Sequence, residues 1–266
     1  ILPGNGRPAL EFSCLFSKED IKESPDNFIV TTEKSRKSWE TFWNTGGAVD
    51  FSECTDPRAF ELERRMILSR YLTRVQCSGS LPPAETGLTY NSWFGKFHLE
   101  MHWWHAVHFA LWDKEEILEK QMNYYFDILD NARKTALLQG YRGVRWPKMT
   151  SHEGRESPSG VGTFLIWQQP HPVFYSELLY KNSTDKDEIL ERYRDIVFES
   201  AEFMASYATY DPDGDRYMLG PVLIPAQESL RKETTINPVF EIVYWYWGLK
   251  TAIEWKKRLG LEIPEL

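Results

Sequence analysis

Gly140–Pro172, GYRGVRWPKMTSHEGRESPSGVGTFLIWQQPHP, is the stretch on which the interpretation of the whole chain depends. Its prolines and glycines rule out one continuous helix. The segments on both sides carry the apolar periodicity of long helices. A loop rich in Trp, Arg, His, Gln and Glu on a regular scaffold is typical of a binding or catalytic site. The stretch therefore predicts a functional loop held by helices.

The rest of the chain has the pattern of successive helix hairpins. Predicted helices cover about 32–44, 57–77, 97–112, 114–139, 161–181, 185–207 and 237–259. Asp56 and either Thr184 or Asp185 are the expected N-caps of the second and sixth of them. Residues 9–16 and 27–32 have the pattern of short strands. We therefore expect 1–32 to be an extended linker or the tail of a preceding β domain, and 33–266 to be an all-α domain of helix hairpins.

Composition excludes several classes of function. The net charge is −8 and no basic block occurs, which argues against a nucleic-acid partner. No apolar run reaches the roughly 20 residues of a membrane span. No phosphate-binding or nucleotide motif is present, so no cofactor is expected. Oligomeric state stays open.

The three cysteines identify neither a metal or disulfide site nor the cellular compartment. Cys14, Cys54 and Cys77 show neither the spacing of a metal site nor that of a disulfide framework. We favour a periplasmic or secreted location over a cytoplasmic one, although these residues do not decide it.

Aromatic residues supply the first indication of a ligand. They make up 15% of the chain and include eleven tryptophans. Most are expected to pack between helices. Tryptophans beside Gly, Pro, His and Glu in loops are instead suited to stacking on the C–H faces of a sugar. The expected partner is therefore a carbohydrate.

A histidine-rich segment, Lys96–His105, offers either a metal site or a polar binding cluster. His98 and His102 are one helical turn apart, but neither the zincin order nor a third ligand is present, so no metal is predicted. We favour hydroxyl recognition by His98 and Glu100 together with Trp93, and we assign Trp104 to the same site. Buried core histidines are the alternative.

Polar side chains of the central stretch are further candidates for sugar binding. Amide and imidazole groups both donate and accept hydrogen bonds, as hydroxyl recognition requires. The remaining candidates are Arg145, Trp146, Trp167, Gln168, Gln169, His171 and, further along the chain, Asn237.

Two glutamates are candidates for acid–base chemistry. Glu228 lies in an apolar loop, 220–229, and an apolar environment favours the protonated carboxyl that a general acid needs. Glu156 lies in a loop near Arg145 and Trp146, whose effects on its charge oppose each other. Two carboxyls facing one bond are the pattern of a glycosidase.

Three segments resemble glycoside hydrolase family 65. Residues 140–147, followed by 154–156, resemble its "Gly-Tyr-x-Gly-Ala-x-Phe-Pro-Trp … Gly-x-Glu" segment. Residues 95–100 take the place of its sugar-binding "Phe-Trp-Asp-Thr-Glu" segment. Residues 220–228 and 237–240 resemble "Gly-Pro-Asp-Glu-Tyr … Asn-Ala-Tyr-Thr-Asn".

The resemblance implies a fold and an activity. The family comprises maltose, kojibiose and trehalose phosphorylases and related hydrolases on an (α/α)6 barrel, and its general acid corresponds to Glu228. About seven helices are predicted where a closed barrel has twelve, so we expect this chain to hold only part of the toroid. His98 replaces an aspartate of the family and Gln227 an acidic residue, which favours hydrolysis over phosphorolysis.

The sequence therefore predicts an inverting glycoside hydrolase with Glu228 as acid and Glu156 as base or hydroxyl ligand. A non-catalytic carbohydrate-binding domain and a disaccharide phosphorylase are alternatives. A polysaccharide lyase on the same toroid is a third, but the acidic net charge would repel its anionic polymer.

Overall fold

The computed structural model describes residues 9–17 and 20–263, and the chain divides into two units, 1–48 and 49–266. The first unit contains helix α1, Phe28–Asn44, which the side chain of Asn27 caps at the amide of Val30. The strands predicted over 9–16 and 27–32 are wrong, because the first segment has no strand and the second enters α1. The predicted boundary after residue 32 falls inside α1. The part of the predicted linker in residues 1–8 and 18–19 lies outside the described residues.

Over residues 49–263, the described part of the second unit, seven more helices form the scaffold. They are α2 (Ala59–Cys77), α3 (His102–Leu111), α4 (Glu115–Asp127), α5 (Leu129–Leu138), α6 (His171–Asn182), α7 (Lys186–Tyr207) and α8 (Val239–Arg258). Two small antiparallel ladders accompany them. Strand β1 (Phe97–His98) pairs with β2 (Met149–Thr150), and β3 (Thr209–Asp211) pairs with β4 (Arg216–Met218).

The helices pack as hairpins, which confirms the all-α class predicted from the sequence. Helix α3 packs against α4, α6 against α7, and α7 against α8, while α6 also contacts α3 and α8. One apolar core joins these helices and includes Tyr125, Trp146, Tyr175, Tyr193 and Trp255. Burial of such large rings is the main favourable contribution to folding here.

Several predicted helix boundaries are wrong. The helix expected from residue 97 begins at His102, because Phe97 and His98 pair with β2. The helix expected over 114–139 is interrupted at Ile128. The helix expected from residue 161 begins at His171, after a short 3₁₀ turn over Gly162–Phe164.

Of the two predicted caps, one is confirmed. The Asp185 side chain accepts the amide of Glu188 at the start of α7. Asp56 instead accepts the amide of Arg58 in the turn before α2.

No helix in the described ranges combines the length and the apolar character that crossing a bilayer requires.

Gly143 sets how closely the central stretch approaches α7. Its φ is +70°, a left-handed conformation, and a Cβ placed there would lie 2.2 Å from the carbonyl oxygen of Glu199. The next residue, Val144, donates its amide to that same carbonyl at 3.1 Å. Only glycine combines this backbone conformation with so close a contact.

Replacing Gly143 by alanine tests this close approach. We expect Gly143→Ala to lower the free energy of unfolding by on the order of 3 kcal/mol, because steric overlap adds to left-handed strain. Gly140→Ala is the matched control: its φ is +85° but its Cβ would meet nothing within 4 Å. Gly140→Ala should lower the free energy of unfolding by only about 1 kcal/mol. If urea denaturation shows the same loss of unfolding free energy for both variants, the close approach at Gly143 does not require glycine.

Candidate active site

The central stretch is built around side chains that bond to backbone. The Gln169 carboxamide accepts the amide of Trp146 at 3.0 Å and donates to the carbonyl of Val144 at 2.7 Å. The Gln168 carboxamide donates to the carbonyls of Trp146 and Leu165. Both glutamines are buried. Their hydrogen bonds thus replace the regular ladder that this irregular backbone lacks.

The neighbouring candidates are also enclosed in the protein. Trp146 is fully buried and its indole N–H donates to the hydroxyl of Ser200 at 2.8 Å. Arg145 is buried as well, and it donates to the carbonyl of Leu165 at 2.5 Å. Burial lowers the pKa of the Arg145 guanidinium, and the charge of Glu156 opposes that effect. Both side chains therefore support the protein interior next to the site.

The centre of the site is an ammonium ion between two carboxyls. The Lys148 Nζ lies 2.6 Å from Glu228 Oε1 and 3.1 Å from Glu100 Oε1. The side chains of Lys148 and Glu100 are buried, whereas 39% of the Glu228 side chain is exposed. The expected apolar enclosure of Glu228 is therefore not found. Its carboxylate reaches solvent and is held by a charge-assisted hydrogen bond.

Backbone pairing places Glu100 and Lys148 side by side. The amides of Leu99 and Glu100 both donate to the carbonyl of Lys148, at 2.9 Å and 3.3 Å. These bonds continue the β1–β2 ladder, so the two side chains leave neighbouring points of paired backbone. Glu228 approaches from the loop before α8, where it has a left-handed φ of +54°.

Burial favours the protonated form of Glu100 within this cluster. Burial raises the pKa of Glu100 to about 7, and Lys148 only partly offsets this effect. Burial by itself would lower the pKa of Lys148, but Glu228 and Glu100 outweigh it and the pKa is raised.

Unpaired hydrogen-bonding groups surround Glu100. His98 Nε2 lies 3.6 Å from Glu100 Oε1, and within the described residues neither ring nitrogen of His98 has a hydrogen-bond partner. Burial lowers the pKa of His98, which favours the neutral ring. The buried indole N–H of Trp167 likewise lacks a partner of good geometry there, although it lies near enough to lower the pKa of Glu100. Such groups are available to hydroxyls of a ligand.

Aromatic rings extend the site from Glu100 into a cleft of about 430 Å³. Its lining includes Trp104, Trp167 and Phe240. His171 also lines the cleft and donates from Nε2 to the carbonyl of Glu100, while its Nδ1 accepts from the Tyr244 hydroxyl. Burial lowers the pKa of His171 to about 3, so this ring is neutral. The centroid of the Trp93 ring lies 5.8 Å from the Lys148 ammonium.

Two predicted site residues make their hydrogen bonds outside this cluster. The carboxylate of Glu156 accepts from the Thr163 hydroxyl at 3.2 Å and lines a surface depression with Lys134 and Arg155. Asn237 accepts the amide of Leu219 through its side chain, which closes the base of the loop that carries Glu228. The contacts of both residues thus differ from those of Glu100 and Glu228.

Histidines of the Lys96–His105 segment have separate roles. His102 is fully buried, with its two ring nitrogens bonded to the Tyr125 hydroxyl and the Gln121 carboxamide, each at 2.8 Å. Burial lowers its pKa to about 4. Over residues 9–17 and 20–263, no group of three potential ligands is arranged to hold a metal ion.

Lys148 is the site residue that the sequence analysis missed. It follows Pro147 in the central stretch, at the position where the resembling family segment has tryptophan. A lysine in place of an aromatic residue within a matched segment was the available signal. Its two carboxylate partners are 48 and 80 residues away in sequence, so the charge cluster itself was not visible.

The fold and the site define a helix-hairpin protein that resembles the six-hairpin glycosidases, and glycoside hydrolase family 65 in particular. No profile of a known protein family matches the chain. Several individual proteins are nevertheless similar to it in sequence. The chain is 26% identical over 155 residues to kojibiose phosphorylase of Thermoanaerobacter brockii, covering 53% of the chain and 20% of the relative.

Two further relatives extend the similarity. Alpha,alpha-trehalose phosphorylase of Thermoanaerobacter brockii is 24% identical over 254 residues, covering 93% of the chain and 31% of the relative. Kojibiose hydrolase of Flavobacterium johnsoniae is 26% identical over 182 residues, covering 67% and 26%. The chain thus spans about a fifth to a third of the curated relatives it matches.

A solved structure confirms the fold. It is a human-microbiome protein provisionally assigned as a kojibiose phosphorylase, and it superposes with a TM-score of 0.70 at 13% identity. The match covers 88% of this chain and 30% of that one. The predicted helical toroid architecture is therefore confirmed for the part that this chain contains.

The raised pKa of Glu100 predicts how stability depends on pH. The folded protein binds the proton with a pKa of about 7, whereas the ordinary value is 4.5. The resulting stabilisation is full below about pH 4.5 and is lost as pH rises through about 7. Relative to Glu100→Gln, the free energy of unfolding of the wild type should fall by about 3 kcal/mol between pH 5 and 8.

Urea denaturation at half-unit pH steps measures this difference. Glu53→Gln, at an exposed glutamate of the same unit, should follow the wild-type curve. Parallel curves for the wild type and Glu100→Gln would show that Glu100 does not hold this proton.

Proposed function

We propose that the chain carries the acid and sugar-binding residues of an enzyme that cleaves glycosidic bonds, with water as the acceptor. The observation that carries the proposal is the cluster of Glu100, Lys148 and Glu228 beside an aromatic cleft. The relatives of the chain, which include two kinds of disaccharide phosphorylase and a kojibiose hydrolase, support a glycoside as the substrate.

Glu228 is the proposed proton donor. Its carboxyl is the exposed end of the cluster, so it can reach a glycosidic oxygen while Glu100 stays buried. The proton moves to the leaving oxygen as its bond to the anomeric carbon breaks. Oxygen of a water molecule forms the new bond to that carbon, and a base accepts the proton from the water.

Glu156 remains our proposal for that base. Inversion through water needs carboxyls roughly 6.5–9.5 Å apart. Glu100 Oε1 and Glu228 Oε1 both contact one ammonium, at 3.1 Å and 2.6 Å, so these two oxygens lie closer together than that range. This pair is therefore unsuited to hold the water between them, and a carboxylate from another segment has to activate it.

We propose that the unpaired hydrogen-bonding groups around Glu100 bind the sugar. His98 Nε2 and the Trp167 indole N–H are the proposed hydroxyl ligands, and Trp93 and Trp104 the proposed stacking surfaces. A buried donor without a protein partner gains a hydrogen bond when a hydroxyl binds, which favours sugars over apolar ligands.

Phosphorolysis is the second candidate, and the names of the relatives favour it. The kojibiose and trehalose phosphorylases outnumber the hydrolase among them. In that reaction inorganic phosphate would attack the anomeric carbon in place of water, and the role of Glu228 would stay the same.

The acid assignment is tested by Glu228→Gln. We expect kcat to fall by about 10²- to 10⁴-fold with kojibiose or trehalose, because an amide cannot supply the proton. Glu233→Gln, at an exposed glutamate of the same loop, is the matched control and should retain activity. Near-normal turnover by Glu228→Gln would rule out this residue as acid.

The acceptor is decided by a separate assay of the wild-type, full-length protein. Glucose release without phosphate, unchanged when phosphate is added, is expected for hydrolysis. Turnover that requires phosphate and yields a sugar phosphate would establish phosphorolysis instead. Tight binding of the sugar with no product under either condition would favour a binding domain.

A further inference from the structure

Glu241, on the first turn of α8, is a fully buried carboxyl without a charged partner among the described residues. Its Oε1 accepts the backbone amide of Ala226 at 2.7 Å, and its Oε2 has no hydrogen-bond partner there. Burying a carboxyl with one oxygen unpaired costs stability. The contact is to the backbone two residues before Glu228.

The backbone around Glu228 is a tight turn. The amide of Glu228 donates to the carbonyl of Pro225 at 2.8 Å, so residues 225–228 close on themselves. Glu228 then has its left-handed φ of +54°, which non-glycine residues seldom adopt without support from their surroundings. The amide of Ala226 lies within this turn, and Glu241 fixes it.

Other contacts hold the loop farther from the turn. The amide of Ile224 donates to the carbonyl of Phe164 at 3.0 Å, and Asn237 bonds Leu219 through both its backbone and its side chain. Within the described residues, the turn 225–228 is hydrogen-bonded to other segments by Lys148, at Glu228, and by Glu241, at Ala226. Of these two contacts, that of Glu241 comes from a helix. A long helix is a rigid support for such a contact.

We propose that Glu241 is a positioning residue that fixes the turn 225–228 from α8, so that the carboxyl of Glu228 meets Lys148 and the glycosidic oxygen. The inference rests on the proposed function of Glu228. Glu241 does not touch the substrate. It acts through the backbone, and it requires only an acceptor oxygen at the position of Oε1.

The matched pair Glu241→Gln and Glu241→Met tests this role. The amide retains an acceptor oxygen, so Glu241→Gln should keep kcat within about threefold of the wild type. The thioether offers no comparable acceptor, so Glu241→Met should lower kcat about 10- to 100-fold while KM changes by less than about threefold, because misplacement of an acid affects the chemical step.

Glu177→Met controls for loss of any buried carboxyl. Glu177 on α6 is also buried, and it accepts the Trp255 indole N–H at 2.7 Å. Its loss should lower stability without changing kcat. If Glu241→Met and Glu177→Met lose kcat equally at matched folded fractions, or if Glu241→Gln loses it as fully as Glu241→Met, the positioning role is wrong.

Hydrogen exchange gives a second readout that needs no activity. In Glu241→Met, the amides of residues 226–229 should exchange faster than in the wild type, while those of α6 and α7 stay unchanged. A wild-type protein that cleaves no glycoside would overturn the proposed function and still allow this measurement. Unchanged exchange in the turn would overturn the role of Glu241.

Discussion

The site depends on backbone pairing between two loops that are some fifty residues apart. Lys148 accepts two amides through its carbonyl, from Leu99 and Glu100, and its ammonium contacts the Glu100 carboxyl. The same residue is therefore tied to one neighbouring segment by both its main chain and its side chain. This arrangement fixes a cation in a buried position, where an unpaired charge would be strongly unfavourable. Glu228 then completes the pairing from a third segment.

The scaffold was predictable to a larger extent than the loops. Regular apolar spacing indicates helices because one face of each must be buried, and α7 and α8 were predicted with nearly correct bounds. The failures came where a few residues pair with distant backbone. Phe97 and His98 continue a helical pattern in sequence, but their hydrogen bonds go to Met149 and Thr150. Local spacing carries no information about such partners.

The residues of the candidate site were likewise predictable where the signal is local in sequence and not where it depends on distant segments. Glu100 and Glu228 could be selected from sequence because each stands in a segment of unusual composition. Lys148 could not be given its role, since a charge cluster is defined by distance in space. Gln168 and Gln169 were selected for their hydrogen-bonding groups, which the structure finds largely engaged with the backbone of the same loop. In this loop the two glutamine side chains support the irregular backbone itself.

Opposing requirements act on the proposed proton donor, Glu228. The carboxyl has to be exposed enough to reach a substrate oxygen, yet an exposed loop does not hold a side chain in one place. Contacts from two sides resolve this conflict: Lys148 holds the carboxyl, and Glu241 holds the backbone of its turn. The buried Glu100 beside it has a raised pKa, because burial disfavours its charged form. Access to the substrate and order of the proposed donor thus come from different contacts, and Glu228 does not have to be buried to be held in place.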